Sequence, residues 1–338
     1  MIKSMIFICP LILCSCRMRI TSFNVNGIRS FSKYVMKSCR LRFNEYVKNI
    51  LRADILCVQE TRGREGALGE FHSLRDYITF TNTNKTNSSR SGVSTMVSKK
   101  LYCRGVLDSP FAEDGRSLLT DHGEFKVLNL YFPFFDESSE RDKSEVIGFY
   151  DAIGEFIRGH DNIIMCGDFN AVYSIIDHYQ FYSELLRIQR KDRPGLEEGA
   201  KERRRARKSP TRLELPYEFY AEDALESYLL ETEQRKWLRS LIDGGEYIDA
   251  YRALCKRPES YTCWNTMLNL RPRNLGTRID YILIPARFLN RLKDCDIQPE
   301  IHGSDHCPVY AEIDFDVVDD GNNILSKRKN NLLDFFGL

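Results

Sequence analysis

Seven stretches of the chain concentrate apolar, β-branched and aromatic residues over strand-like lengths: MRITSFNV (18–25), ADILCVQE (53–60), SGVSTMVS (91–98), FKVLNLYF (125–132), NIIMCGDF (162–169), RIDYILI (278–284) and CPVYAEIDF (307–315). Helical periodicity falls between them, at 37–52, 143–158 and 229–242. Strands and helices mixed in this order predict an α/β or α+β domain, and so many strands predict two sheets. Four runs carry polar residues at or near their C-terminal ends: Asn24 and Asn26, Glu60, Tyr131, and Asp168 with Asn170. Loops beyond strand ends are where such folds collect ligands and catalytic groups.

Three regions break the pattern. Residues 181–217, with RIQRKDRPGLEEGAKERRRARKSP at their centre, are charged, punctuated by Gly and Pro and without apolar periodicity, which predicts an insertion. Its RRRAR core suits phosphate contact, a nuclear-import signal or a plain solvated loop. Residues 317–338 read as a flexible tail with an apolar end. At the start, residues 1–17 form an extension that is signal-peptide-like and too short to span a bilayer. Met18 directly precedes RITSFNV, so either Met18 is the expected functional start or the extension is dispensable, with a targeting signal as the alternative.

Composition narrows the classes. A chain of 338 residues can bury a sizeable core. Its net charge of +1 announces no polyanion partner, so any such site must be local. The 11 cysteines are odd in number and lack a CxxC pair, which argues against a zinc knuckle and for reduced thiols in a nuclear or cytosolic setting.

Glu60 ends an apolar run and must be solvated, paired or bound to a cation. Asp168 and Asn170 in GDFN, Asn24 in SFNVNG and Asp280 in TRIDY occupy the same kind of position. Together with the Asp305–His306 pair they point to one shared polar cleft. IHGSDHCPVY places Ser304, Asp305 and His306 side by side, the residue types of a hydrolase triad. Consecutive residues cannot converge as a triad must, and Pro308 with a strand follows instead of a nucleophile elbow. Asp305 and His306 are therefore expected to reach a site completed elsewhere, and Ser304 to be a loop residue.

SFNVNGIR, VQET, DGR, NLYFP, GDFN, YTCW, GTRIDY and GSDHCPV, in this order and spacing, resemble the exonuclease III family of class II AP endonucleases, and within it the eukaryotic branch that binds the sliding clamp. The resemblance runs from about Met18 to about Asp316 and implies a catalytic domain over 18–316. The fold it implies is DNase I-like, two packed β-sheets flanked by helices. The function it implies is base excision repair: a nuclease for abasic sites and recessed 3′ ends of duplex DNA, with AP endonuclease, 3′–5′ exonuclease and 3′-phosphodiesterase activities. Mg²⁺ is the implied cofactor, with Mn²⁺ as a substitute, held by Glu60 with Asn24, Asn26 and Asp305 nearby. Asp280 would orient His306, and His306 would contact the scissile phosphate. Asp168 would activate the attacking water or assist the leaving group, positioned by Asn170. Tyr131 and Asn170 would donate hydrogen bonds to the phosphate. Trp264, Thr277, Ile279 and Arg278 would line the pocket for an abasic sugar.

Two departures qualify the resemblance. The family member strongest in abasic-site cleavage has an aromatic residue where this chain has Thr277, and another near Cys263. Many members also carry a polar residue in place of Phe134. The thinner wall implies that exonuclease and 3′-end trimming outweigh incision. In the tail KRKNNLLDFFGL, Lys329, Leu332, Phe335 and Phe336 have the spacing of the sliding-clamp motif, with Lys replacing its usual Gln. Binding of the clamp (PCNA) through Leu332, Phe335 and Phe336 is expected, in a nuclear, monomeric protein with no membrane partner. The rival readings are a phosphodiesterase of the same fold acting on phosphoinositide or lipid, and a catalytically weak, clamp-bound scaffold.

Overall fold

The computed structural model describes residues 14–134, 140–191 and 219–317. Twelve strands run in chain order: β1 (Cys14–Asn24), β2 (Ile55–Gln59), β3 (Tyr77–Asn82), β4 (Val93–Ser98), β5 (Gly105–Leu107), β6 (Ser117–Asp121), β7 (Lys126–Tyr131), β8 (Ile163–Asp168), β9 (Tyr247–Asp249), β10 (Asp280–Pro285), β11 (Leu292–Ile297) and β12 (Val309–Val317). They form two six-stranded sheets, ordered β11-β12-β1-β2-β4-β3 and β5-β6-β7-β8-β10-β9. In each sheet one parallel pair lies near the centre, β1 with β2 and β7 with β8.

Every residue of β2, β8 and β10 is buried. Such strands read as unbroken apolar runs because both of their faces are covered. On the inner side, Ile20, Ile55, Cys57 and Val309 of the first sheet share a core with Val127, Ile164, Cys166 and Ile282 of the second. On the outer side of the first sheet, Leu56 and Val58 pack with Phe31, Phe43 and Phe71. On the outer side of the second, Leu128, Leu130, Met165 and Leu283 pack with Phe149 and Ile153 of the helix Glu140–Arg158 and Leu238 of the helix Glu233–Asp243. Burying each such Leu, Ile or Phe contributes about 1.5–3 kcal/mol. The result is helices, sheet, sheet, helices.

Near one end of the sandwich the core turns polar. Gln59 Nε2 donates to Asn129 Oδ1 at 2.7 Å, and Asn129 Nδ2 donates to the carbonyls of Ser94 at 3.0 Å and Val58 at 3.2 Å. All of these groups are buried, so each bond must be kept for the sheets to close. The network joins β2 and β4 to β7, one residue before Glu60 and two before Tyr131, and so fixes the two sheets against each other beneath the polar cleft.

The fold departs from the sequence reading in several places. The pattern at 229–242 is split between the helices Glu222–Leu229 and Glu233–Asp243. The insertion expected over 181–217 begins later, because Tyr179–Lys191 is a helix that buries Phe181 and Ile188 against Phe219, Leu225 and Leu229. Residues 192–218 lie outside the described residues. β1 begins upstream of Met18, pairing Cys14 with Val317. The clamp motif at Leu332, Phe335 and Phe336 lies outside the described residues.

Candidate active site

Strand register assembles the cleft. Across the second sheet Tyr131 of β7 pairs with Asp168 of β8, and Asp168 pairs with Asp280 of β10, so three polar residues form one row. In the first sheet Asn24 pairs with Gln59, and Asn26 and Glu60 follow just beyond the strand ends. The β11–β12 loop lies over both rows, with His306 bridged to Cys263 and Cys263 bridged to Thr277. Two glycines make the approach possible. A Cβ on Gly167 of GDFN would sit 1.8 Å from the Leu130 carbonyl oxygen, and one on Gly276 of GTRIDY 2.6 Å from that of Cys263. Asn26, Glu60 and Asn170 all have positive φ, of 48°, 52° and 47°. For Glu60 that conformation costs on the order of 1 kcal/mol.

The side chains are joined by hydrogen bonds, with one wider ion-pair contact between His306 and Asp168. His306 Nδ1 meets Asp280 Oδ2 at 2.8 Å, and His306 Nε2 lies 3.8 Å from Asp168 Oδ2. Asn24 Nδ2 donates to Asp168 Oδ2 at 2.9 Å and to Glu60 Oε1 at 3.0 Å, linking the two sheets. Asn26 Nδ2 donates to Asp305 Oδ1 at 2.9 Å. Asn170 donates its backbone N–H to Asp168 Oδ1 at 2.9 Å and its amide to the Phe132 carbonyl. Ser304 Oγ donates to the Asn24 carbonyl at 2.8 Å, so it serves the loop and is no nucleophile.

Burial and charge act together on these groups. Burial pushes the Asp168 carboxyl up to about 7; His306 opposes the shift and Asp280 adds to it. Burial disfavours charge on His306, but the adjoining Asp280 more than reverses this, and the imidazole is held well above its ordinary range. Burial, then Glu60 and Asp168, raise the Tyr131 phenol, which stays neutral. Asp168 and His306 thus form a pair at which a proton can be taken up or released near neutrality.

Most of the expected residues come together here; some do not. Asn24 was expected beside a metal; its oxygen accepts the Asn26 N–H and its amide bridges two carboxylates. Its amide nitrogen orients the oxygens of Glu60 and Asp168, and its own oxygen keeps one lone pair beyond the Asn26 N–H. Arg278 does not line a pocket. It is fully buried, donating to Asp177 at 2.9 and 2.8 Å and paired with Asp249 at 2.7 Å. Trp264 is also buried, with Nε1 donating to Asn274 Oδ1, whereas Thr277 and Ile279 keep partial exposure beside the cleft. Sequence reasoning missed Arg62, which pairs with Glu60, and Arg116, which donates to the Tyr131 carbonyl and stacks over its ring at 5.1 Å. The only signals for them were their places in VQETR and DGR. It also missed Cys263, whose backbone bridges to that of His306.

Four carboxylates converge on the cleft: Glu60, Asp168, Asp280 and Asp305. Among the described residues Asp168, Asp280 and His306 bring ligand atoms within 4.8 Å of one another, close enough to share an ion. A protonated His306 has no lone pair to give, so the oxygens around Glu60 make the better cation position. There a guanidinium, that of Arg62, already sits against the carboxylate. Asp280 Oδ1 is buried without a partner. Hard oxygen donors of this kind suit a hard divalent cation.

Residues 21–306 match the Endonuclease/Exonuclease/phosphatase family. The chain is 28% identical over 346 residues to DNA-(apurinic or apyrimidinic site) endonuclease 2 of Schizosaccharomyces pombe, covering 88% of this chain and 58% of that protein. The Homo sapiens protein of the same name is 24% identical, with 87% and 60% covered. The chain therefore spans about three fifths of the length of these relatives. The exodeoxyribonuclease of Bacillus subtilis is 24% identical, with 86% and 98% covered. The fold matches the crystal structure of the Xenopus laevis APE2 catalytic domain with a TM-score of 0.66 at 23% identity, over 90% of this chain and 94% of that one. Taken with the paired sheets and the carboxylate–histidine cleft at their end, the match over residues 21–306 places the chain in the endonuclease/exonuclease/phosphatase family.

Proposed function

We propose that this protein is a Mg²⁺-dependent DNA repair nuclease that hydrolyses phosphodiesters at abasic sites and 3′ ends in the nucleus. The observation that carries the reading is the line Asp280–His306–Asp168–Asn24–Glu60, which joins an oriented imidazole, a carboxylate tuned to neutrality and a cation-seeking carboxylate. Asp168, with its pKa near 7, accepts a proton from the attacking water at working pH. The water oxygen bonds to phosphorus as the bond to the leaving oxygen breaks. His306, charged and held by Asp280, donates a charge-assisted hydrogen bond to the phosphate oxygens as their charge builds. The neutral Tyr131 hydroxyl and the second amide hydrogen of Asn170 add donors from the other side. A divalent cation held by Glu60 and Asp305 would neutralise phosphate charge there.

The choice of DNA rests on more than likeness to relatives that carry nuclease names. Directly after Asn26, Arg29, Lys33 and Lys37 follow at helical spacing, all exposed. They form a basic stripe leading away from the cleft, suited to a phosphate backbone. Thr277 and Ile279 offer a smaller apolar wall than an aromatic pair would, so 3′ trimming should exceed incision. Binding of the sliding clamp through Leu332, Phe335 and Phe336 completes the proposal.

The test is cleavage of an abasic duplex and of a duplex with a mismatched 3′ end, side by side, with Mg²⁺, Mn²⁺ or EDTA. Metal-dependent cleavage, faster at the 3′ end, is expected. Equal activity in EDTA, or hydrolysis of a phosphoinositide instead of DNA, overturns the reading.

A further inference from the structure

Asp305 and His306 lie in a segment without regular structure between β11 and β12. No ladder holds residues 299–305, yet His306 must face Asp280 and Asp168 within a few tenths of an ångström. Side chains of the segment reach Asn24, Asn26 and Asp280, but its backbone carbonyls are gathered chiefly by one residue. The Arg271 guanidinium donates from Nη1 to the carbonyls of Ser304 at 2.9 Å and His306 at 3.4 Å, and from Nη2 to those of Pro299 at 2.9 Å and Ile301 at 2.5 Å. The carbonyl between, that of Asp305, accepts the Trp264 N–H at 2.9 Å. The three consecutive carbonyls of Ser304, Asp305 and His306 are thus all bound by the loop that runs from Trp264 to Arg271. The guanidinium lies over the Trp264 ring, 4.5 Å from its centre, and Trp264 is itself pinned by Asn274.

This geometry separates Arg271 from an ordinary surface cation. All four of its Nη hydrogens are spent on carbonyls, and its remaining Nε is buried, so no donor is left for a phosphate. A lysine in its place offers one point charge and cannot span four acceptors in a plane.

We propose that Arg271 is a positioning residue, holding the backbone of residues 299–306 so that His306 meets Asp280 and Asp168 of the second sheet and Asp305 meets Asn26 of the first. Its part in catalysis rests on the phosphodiesterase reading above; its part as a brace does not. Displacing a reacting group by about 1 Å can cost a factor of about 10² in rate.

The experiment compares the full chain with Arg271→Lys and Arg271→Ala. It measures kcat and KM on both DNA substrates, thermal midpoint, and hydrogen exchange resolved to peptides. Both variants should lose about 10²-fold in kcat with KM within about twofold of wild type. Exchange should quicken in 299–306 and stay unchanged in β8, and millimolar guanidinium should restore part of the activity of Arg271→Ala. A rise in KM with kcat preserved makes Arg271 a DNA contact and overturns the proposal. Unchanged exchange in 299–306 also overturns it, as does wild-type kcat in both variants. If Arg271→Ala fails to fold, Arg271→Lys decides by the same readings. Should the wild-type chain cleave no DNA, the functional reading fails, and the exchange comparison still decides whether Arg271 is the brace.

Discussion

Asp168 carries a conflict between stability and chemistry. Its carboxyl is buried and its pKa is raised to about 7, so the unfolded chain gives up that proton at lower pH than the folded chain does. Stability from this residue is therefore complete below the ordinary carboxylate value near 3.8 and is lost as pH rises through about 7. Asp168→Asn should remove this loss and leave the thermal midpoint at pH 8 equal to or above that of wild type. It should also lower cleavage by a factor of about 10² or more. A midpoint that falls at pH 8, or activity that survives, would refute the role given to Asp168. At this scale the sequence was informative about carboxylates and poor about their partners. Glu60, Asp168, Asp280 and Asp305 were visible because a charge interrupting an apolar run is costly unless it has a purpose. The partners of Asn24 could not be read, because the direction of an amide depends on what surrounds it. Arg271, Arg62 and Arg116 went unseen because an arginine in a loop looks the same whether it faces water or four carbonyls.

Long runs were legible, whether buried on both faces or alternating like β12, whereas short strands such as β6 were not, although β6 is buried along its whole length. β2, β8 and β10 are continuous apolar runs, and their ends were placed within one or two residues. β11 was missed because its register shifts between Leu292 and Asp294, which breaks the period-two alternation of LKDCDI. Arg278 was misplaced because its own element hides it: Asp177 precedes one helix, Asp249 ends β9, and both carboxylates close on Arg278 just before β10. Asp177 is shared with Arg252, and although burial opposes its charge, Arg278 holds its pKa below the ordinary value. Asp177→Asn leaves two guanidinium groups short of a partner and should cost about 3–5 kcal/mol, read as the urea midpoint at pH 7. A cost below about 1 kcal/mol, the range of an exposed pair, would mean that Asp249 alone suffices. The basic stripe belongs to this scale too. Replacing Arg29, Lys33 and Lys37 together by Gln should reduce the salt slope of DNA binding by about 0.9 for each phosphate that the stripe neutralises. An unchanged slope would place the DNA elsewhere.

For the whole molecule, the two-sheet sandwich followed from the count of apolar runs, but which strand ends share one end of it did not. That depends on register and on contacts between sheets, of which Gln59–Asn129 is the clearest, and a local sequence pattern carries neither. Histidines enclosed by the folded chain contribute to its response to acid. His122 is buried, with one ring nitrogen on Thr120 Oγ1 at 3.0 Å and the other on the Tyr102 carbonyl at 3.1 Å; burial lowers its pKa to about 4. His178 is packed edge-on against Phe181, and its pKa falls to about 3, through burial and then the nearby Arg235. Each stays neutral when folded and is protonated on unfolding below about 6.5, so each loses stability as pH falls, by about 1.4 kcal/mol per pH unit. Asp168 works in the opposite sense over the same range, with a similar slope. Asp54, whose carboxyl burial also raises, works in the same sense as Asp168, so the two histidine terms are only partly expressed in the net response. His122→Gln, which keeps a donor and an acceptor at that position, removes one histidine term and should make stability less sensitive to falling pH between about pH 6.5 and 4. Urea midpoints measured at half-unit steps from about pH 4 to 7 check this. Parallel curves for the variant and wild type would mean that His122 does not resist protonation, and that the acid response lies in the surface charges instead.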